Sequence, residues 1–392
     1  MSFEQGGVGM AETLTTADLI DAVRLALVSG VGPRHRQDLL AMFGSPAAVL
    51  AARVDELEQV SGIGPKIAAR IAAARDEIDA DAELSLAAAH GIDVLTETNA
   101  SYPRLLREIH DPPGVLFRRG TTSPQDELAI AIVGTRHATR YGLAQAERLA
   151  SSLARVGFTV VSGLARGVDA AAHRGALAAG GRTIAVLASG LLNIYPTEHA
   201  ELADEIAGSG YLLSEAPPRM IPLSGAFPQR NRIISGLTLG TIVVEAPLRS
   251  GALITARHAY EQGREVFAVP GPVDSRMSRG CHALIKDGAK LVESVDDVMA
   301  EFGPLADRVE REDGTHIDQP AELLLNEIEQ QVLQAIDGQP TSIDAVAAAC
   351  GLPVHRVLST VSVLEMRRLV RRVSGTQVVR ATAGFPKPAR LR

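Results

Sequence analysis

The sequence predicts an α/β protein: a mainly parallel sheet covered by helices on both faces, with an all-helical domain before it and a winged-helix-like domain after it. Three observations carry this expectation. Short β-rich apolar runs alternate with helical patterns between residues 128 and 292, a glycine-centred phrase occurs twice before residue 95, and a helix, a helix pair and a hairpin pattern close the chain. At 392 residues the chain exceeds one ordinary domain, and 46% hydrophobic with 22% charged residues excludes disorder as its main state.

Residues 10–95 read as the helical domain. "LALVSGVGPRHRQDLL" places Gly30 and Gly32, and "LEQVSGIGPKIAARIA" places Gly62 and Gly64 at the equivalent points. Each phrase fits a helix, a tight glycine turn and a second helix opening on Pro33 or Pro65, a residue type suited to the first helical position. This is the pattern of a tandem helix-hairpin-helix, a SAM-like arrangement whose turn amides can face a phosphate. Gly62, Gly64 and Lys66 are therefore secondary candidates for nucleic-acid contact. Residues 1–95 carry 7 basic and 14 acidic side chains, which opposes that role, so a structural or protein-contacting one stands beside it.

Residues 96–295 read as the sheet domain. "LAIAIVG", "FTVVSG", "TIAVLASG", "YLLSEA", "TIVVEA" and "EVFAVPG" are near-continuous apolar strands separated by helical patterns such as "YGLAQAERLASSLARVG". In a parallel sheet the strand C-termini share one edge, where ligands bind. Residues 296–325 read as an acidic linker. Residues 326–381 read as a winged helix, and Arg356, Arg367, Arg368, Arg371 and Arg372 supply much of its positive charge. Such a module serves DNA contact or protein docking, and Arg356 is a further secondary candidate.

The formal charge of −7 averages unlike pieces. Residues 1–95 are net −7 and 296–330 net −9, whereas 96–295 are +3 and 331–392 are +6. Of the 39 basic residues, 35 are arginine, which contacts phosphate through planar, bidentate hydrogen bonds, although arginine-rich codon usage would produce the same count. Two isolated cysteines make neither a disulfide framework nor a zinc site, so no metal and no cofactor is expected. No apolar run reaches the length of a membrane span and no cleavable leader is evident, so the expected compartment is the cytoplasm.

Enzyme signatures are lacking. There is no Gly-Lys-Ser/Thr phosphate loop, no G-x-G-x-x-G, no G-x-S-x-G elbow and no H-E-x-x-H. His173 and His258 lie in helical patterns without a spaced partner and read as structural. What remains is anion binding by four arginine-bearing loops. Gly134, Thr135 and Arg136 follow the first strand; Ser162, Gly163 and Arg166 follow the second; Phe227 precedes Arg230, Asn231 and Arg232; and Arg249, Ser250 and Gly251 follow the fifth. For any single arginine a surface ion pair is the alternative, which four loops on one edge make less general.

These phrases resemble a known family. "VGTR…YG", "SGLARGVDAAAH", "FPQRNRIISGL", "SGALITARHAYEQGREVFAVPG" and "LIKDGAKLV", in that order over about residues 100–295, resemble the DNA-processing (DprA/Smf) family. The resemblance implies an extended Rossmann-like core that binds single-stranded DNA without catalysis, forms a homodimer and helps load the RecA recombinase during natural transformation. It assigns the phosphate-holding motif to Gly134, Thr135 and Arg136 and the aromatic contact to Phe227. Where the family often has lysines, this chain has Thr197 and Ser224, which leaves two backbone contacts to other arginines such as Arg219 or Arg230. Two alternatives stand beside this reading: a nucleotide phosphoribohydrolase-like enzyme, which needs an acid that "LRSGALITA" lacks, and a winged-helix binder of duplex DNA.

Overall fold

The computed structural model describes residues 15–302, 309–310, 316–317, 327–336, 339–366, 369–374 and 377–380. The chain opens with α1 (Thr16–Leu27), α2 (Pro33–Phe43), α3 (Pro46–Ala51), α4 (Val54–Leu57), α5 (Pro65–Glu77) and α6 (Ala80–Ala89). The repeated phrase yields repeated geometry. Gly30 and Gly62 turn at φ +97° and +82°, a region closed to most side chains. The helix caps Gly32 (φ −86°, ψ 175°) and Gly64 (φ −90°, ψ 174°) then precede the two prolines. The two hairpins also meet, since a Cβ on Gly62 would lie 2.8 Å from His35 Nε2. Leu25, Leu39, Leu57 and Ile71 form the core of this domain.

α1 and α6 turn a second apolar face to the sheet, where Ala22, Val23, Ala80 and Ala87 pack with Val115 and Phe117. Buried Arg36 adds an ion pair to Glu97 at 2.9 Å, so the helical domain is docked on the core rather than tethered to it.

The sheet has nine strands: β1 (Asp93–Thr96), β2 (Val115–Gly120), β3 (Ala129–Val133), β4 (Thr159–Ser162), β5 (Thr183–Leu187), β6 (Tyr211–Ser214), β7 (Gly240–Val243), β8 (Glu265–Ala268) and β9 (Lys290–Leu291). Their spatial order is β1-β2-β6-β5-β4-β3-β7-β8-β9, parallel from β6 to β9. The six expected strands are β3 to β8. β1 and β2 form an antiparallel edge in which buried Leu95, Val115, Leu116 and Phe117 are followed by charged residues: Arg118 pairs with Asp93 and Arg119 with Asp204, each at 2.6 Å.

Side chains alternate across β3. Ile130 and Ile132 face one layer, with Leu149, Leu153 and Phe158, while Ala129, Ala131 and Val133 face the other, with Ile233 and Ile234. The layers are built from α7 (Arg104–Arg107), α8 (Arg140–Arg155), α9 (Val168–Ala178), α10 (Ala200–Ser209), α11 (Ala226–Gly236), α12 (Ala252–Glu261), α13 (Arg279–Lys286) and α14 (Val295–Phe302). α14 corrects the expected boundary at residue 295: Val298 and Phe302 are buried in the first layer, and the Phe302 ring sits 5.9 Å from Phe267. The sheet likewise starts at Asp93 rather than at residue 96.

Beyond the core, β10 (Val309–Glu310) pairs with β11 (His316–Ile317) inside the segment expected as a linker. α15 (Glu327–Gln334), β12 (Thr341–Ser342), α16 (Ile343–Cys350), α17 (Val354–Met366), β13 (Val370–Ser374) and β14 (Gln377–Arg380) follow, as the winged-helix reading requires. Val346, Val357, Val361, Leu364 and Val378 are among the residues of its separate core. Arg367 and Arg368 lie outside the described residues. Among the described residues no helix is long and apolar enough to cross a membrane.

α8 and α9 approach closely at Gly175. A Cβ on Gly175 would lie 2.4 Å from the Glu147 carbonyl oxygen, whereas one on Gly208 meets nothing within 4 Å. Gly175→Ala is therefore expected to destabilise the protein by about 1–3 kcal/mol through overpacking. Gly208→Ala should be neutral or stabilising by up to about 0.5–1 kcal/mol. Thermal unfolding of the full chain checks both, and equal melting temperatures would contradict the close α8–α9 contact.

Candidate nucleic-acid interface

After β6 the chain crosses back to lay β7 beside β3, so the loops following β3 and β7 diverge and open a crevice at the C-terminal edge. A cleft of about 370 Å³ occupies this point, lined by 134–137, Phe227, Arg230, Asn231 and 249–252 among others. A smaller recess beside it shares Arg136 and Phe227 and adds Arg166, Ser189 and Tyr195.

The loop after β3 is pinned from below. Thr135 N donates to the Glu245 carbonyl at 2.7 Å, and the Glu245 carboxylate accepts from Thr139 N at 2.8 Å and Thr139 Oγ1 at 2.6 Å. Thr139 in turn caps α8 by accepting from Gly142 N at 3.2 Å. Two glycines make this approach possible. A Cβ on Gly134 would lie 2.5 Å from Val168 Cγ2, and one on Gly142 would lie 2.3 Å from a Glu245 carboxylate oxygen.

Buried below the loop, Glu245 and Thr135 leave Arg136 exposed above it. The Arg136 guanidinium stands 4.8 Å from the Phe227 ring centroid, and Tyr195 meets the same ring edge-on at 5.8 Å. Phe227 is half-buried, so part of its ring remains accessible. The cleft therefore offers a cation and an aromatic side chain at one place, the pair that a phosphate and a base require.

Arg166 is exposed and forms an ion pair with Glu198. Arg249 is exposed and makes no ion pair among the described residues. Gly251 opens α12 and leaves room beside its Cα, its carbonyl accepting from Asn231 Nδ2 at 3.2 Å. Ser250 Oγ accepts from Ala252 N at 3.3 Å. Arg166, Arg249 and Gly251 are thus exposed, and Asn231 and Ser250 half-buried.

Four other expected contacts are largely buried, Arg230 in the cleft wall and Gly163 in that of the smaller recess, Ser162 and Arg232 in neither. Ser162 is fully buried and its hydroxyl donates to the Ile132 carbonyl at 2.6 Å, bridging β4 to β3. Gly163 is buried because the Arg230 guanidinium fills the space of its missing side chain, a Cβ there lying 2.5 Å from Nη1. Arg230 is only 6% exposed, and its Nη1 donates to the Gly163 carbonyl at 2.7 Å and to the Val186 carbonyl. Arg232 is 4% exposed and binds the Glu215 carboxylate at 2.6 and 2.8 Å and the Asp111 carbonyl at 2.7 Å. The helical period explains the split: two residues along α11 are about 200° around its axis, so the two arginines cannot share a cleft.

Arg230 still shapes the electrostatics. Burial pushes its pKa down to about 10, with Asp169 opposing that fall, so at neutral pH it remains a cation under the cleft. Burial raises Asp169, Arg230 opposes the rise, and the Asp169 carboxylate accepts from Gly163 N at 3.1 Å and Ala165 N at 3.4 Å.

Tyr195, Glu198 and Glu245 carry no signal of their own in the sequence. Each sits beside a motif phrase, but only the folded chain brings Tyr195 to Phe227 and Glu245 to Thr139. Thr197 and Ser224 are exposed, so the two places where lysines were expected offer no cation. Gly62, Gly64, Lys66 and Arg356 line neither recess. His173 is buried against Thr183 Oγ1 at 2.7 Å, and burial pushes its pKa down to about 3, consistent with a structural role. Among the described residues no group of three or more His, Cys, Asp or Glu is placed to hold a metal ion.

Comparison with known proteins agrees along the chain. Residues 93–303 match the family model described as DNA recombination-mediator protein A, residues 317–376 that of the DprA winged helix domain, and residues 22–77 that of a SAM-like helix-hairpin-helix tandem. Protein Smf of Synechocystis sp. is 35% identical over 383 residues, covering 90% of this chain and 96% of the relative. The DNA processing protein DprA of Bacillus subtilis is 43% identical over 253 residues, covering 64% and 80% respectively. The X-ray structure of DNA processing protein A from Streptococcus pneumoniae superposes with a TM-score of 0.63 at 37% identity, covering 72% of this chain and 97% of that one. With its sheet, its two flanking domains and its motifs all accounted for, the chain belongs to the DNA recombination-mediator protein A (DprA/Smf) family.

Proposed function

We propose that this protein binds single-stranded DNA across the switch-point cleft, without catalysis, and acts as a homodimer that passes the strand to the RecA recombinase in DNA processing. The observation that carries the reading is Arg136, exposed on a loop pinned by Glu245 and set over the half-buried ring of Phe227. A base stacks on Phe227 while Arg136, Arg166 and Arg249 take successive phosphates, with the N-terminus of α12 at Gly251 adding its partial positive charge. The names borne by relatives, DNA processing protein and DNA recombination-mediator protein, support the DNA half of this proposal. The acids at the cleft fit the non-catalytic half: Glu245 is engaged by Thr139, and Asp169, on the cleft wall, accepts from two backbone amides.

Eight Phe, five Tyr and no Trp leave little stacking surface, so phosphate contacts dominate affinity. With three cleft arginines engaged, log K against log salt should slope at about −2, taking roughly −0.7 per contact for a single strand. Anisotropy titrations over a salt series check this, and a slope near zero would remove the electrostatic account. Phe227→Ala should cost about 1–3 kcal/mol of binding without lowering the melting temperature. Retained affinity would make the ring part of the core alone.

Glu198 competes with phosphate for Arg166. Glu198→Gln is therefore expected to raise affinity about two- to fivefold, the equivalent of a surface ion pair worth roughly 0.3–1 kcal/mol. A lower affinity would instead assign Glu198 to holding Arg166 in position.

A further inference from the structure

The loop after β8, residues 269–278, leaves the sheet at the same edge, since β8 runs parallel to β7, yet it lines neither recess. It carries Arg276 and leads into Arg279, the first residue of α13, and both are exposed. Among the described residues neither guanidinium makes an ion pair or a hydrogen bond. Arg53 and Arg104 are paired with carboxylates, whereas Arg34, Arg140, Arg155, Arg174 and Arg257 are exposed and likewise make no ion pair among the described residues, so it is their place on the sheet edge that sets Arg276 and Arg279 apart. Asp274, the acid within the loop, is exposed and pairs with neither.

The backbone fixes where these two cations stand. Ala246 N donates to the Met277 carbonyl at 2.8 Å, and Gly280 N donates to the Ala246 carbonyl at 2.7 Å. Ala246 belongs to the loop that carries Arg249, so the two loops are stitched together. There is no slack between them, because a Cβ on Gly280 would lie 2.4 Å from the Ala246 carbonyl oxygen. Tyr141 ties the same loop to α8 by donating to the Pro270 carbonyl at 2.7 Å.

Spatial order along the edge then sets a path. The neighbours β4, β3, β7 and β8 are followed by loops bearing Arg166, Arg136, Arg249 and finally Arg276 with Arg279. At about 4.8 Å between strands, this line spans about 14 Å. We infer that a single strand seated in the cleft continues over the loop after β8, where Arg276 and Arg279 neutralise two further phosphates. The inference rests on the single-strand reading above and extends the site by a second segment in which the loop itself supplies cations and no aromatic side chain, the exposed Tyr141 beside it being the aromatic within reach.

The test uses the full chain, with anisotropy titrations of oligothymidylates of about 6 and about 15 nucleotides. The variants are Arg276→Ala/Arg279→Ala, Arg276→Lys/Arg279→Lys and Arg136→Ala. For the double alanine variant the longer oligonucleotide should bind about tenfold more weakly at low salt, with the salt slope reduced by about 1.4, two contacts' worth. Binding of the shorter one should stay within about twofold of the parent protein, and the lysine pair should restore most of the lost affinity. Unchanged binding at both lengths would overturn the inference, leaving the two arginines as solvated surface. Equal losses at both lengths with an altered sedimentation mass would overturn it too, making the patch an interface between copies. If the parent protein binds neither oligonucleotide, or Arg136→Ala binds as the parent does, the single-strand reading itself fails and takes this extension with it.

Discussion

The edge on which the candidate site stands depends on one buried cation. Arg230 reaches from α11 under the cleft and closes onto the Gly163 and Val186 carbonyls, the backbone just past β4 and near the end of β5. Taking a guanidinium out of water is costly, and here Nη1 donates to two carbonyls and Nε to Asn231 Oδ1, while the nearby Asp169 opposes the fall in its pKa. Asp169 lies near the start of α9 and accepts from Gly163 N and Ala165 N, so the loop after β4 is held from α9 as well as from α11. Gly163 follows from this arrangement, because any side chain there would displace the guanidinium.

Glu245 plays the corresponding part on the other side of the switch point. Its carbonyl holds Thr135 and its carboxylate holds Thr139, so the loop after β3 is bound to the loop after β7 at both ends. Both supports are buried, and what they hold outward is Arg136, Arg249 and the accessible face of Phe227. A recognition surface on pinned loops loses little conformational entropy when a flexible ligand settles on it. The loop after β8 is tied down in the same manner through Ala246, which fixes the backbone that carries its arginines.

Much of the architecture was legible in the chain. Six apolar runs became β3 to β8, the doubled glycine phrase became two hairpins with matching cap angles, and the last pattern became a winged helix with its own core. These features are local: a parallel strand buried on both faces must be apolar throughout, and a positive-φ turn requires glycine wherever it lies. The edge strands were not legible, because each joins a short apolar stretch, Val94 and Leu95 or Val115, Leu116 and Phe117, to polar or charged residues and so gives no continuous apolar run.

Composition and short-range pattern by themselves determined the three-part organisation, the parallel sheet, the edge on which its loops gather and the arginine-rich character of that edge. They could not say which arginines face outward. Arg136 and Arg230 look alike as letters beside glycine and proline, yet one is exposed over an aromatic ring and the other is a core cation. Arg230 and Arg232 look like a pair, yet the helix turns them to opposite sides. Only the tertiary structure decided this, because a charge is buried or presented according to which distant carbonyls and carboxylates the fold brings within hydrogen-bonding distance, and those partners lie tens of residues away.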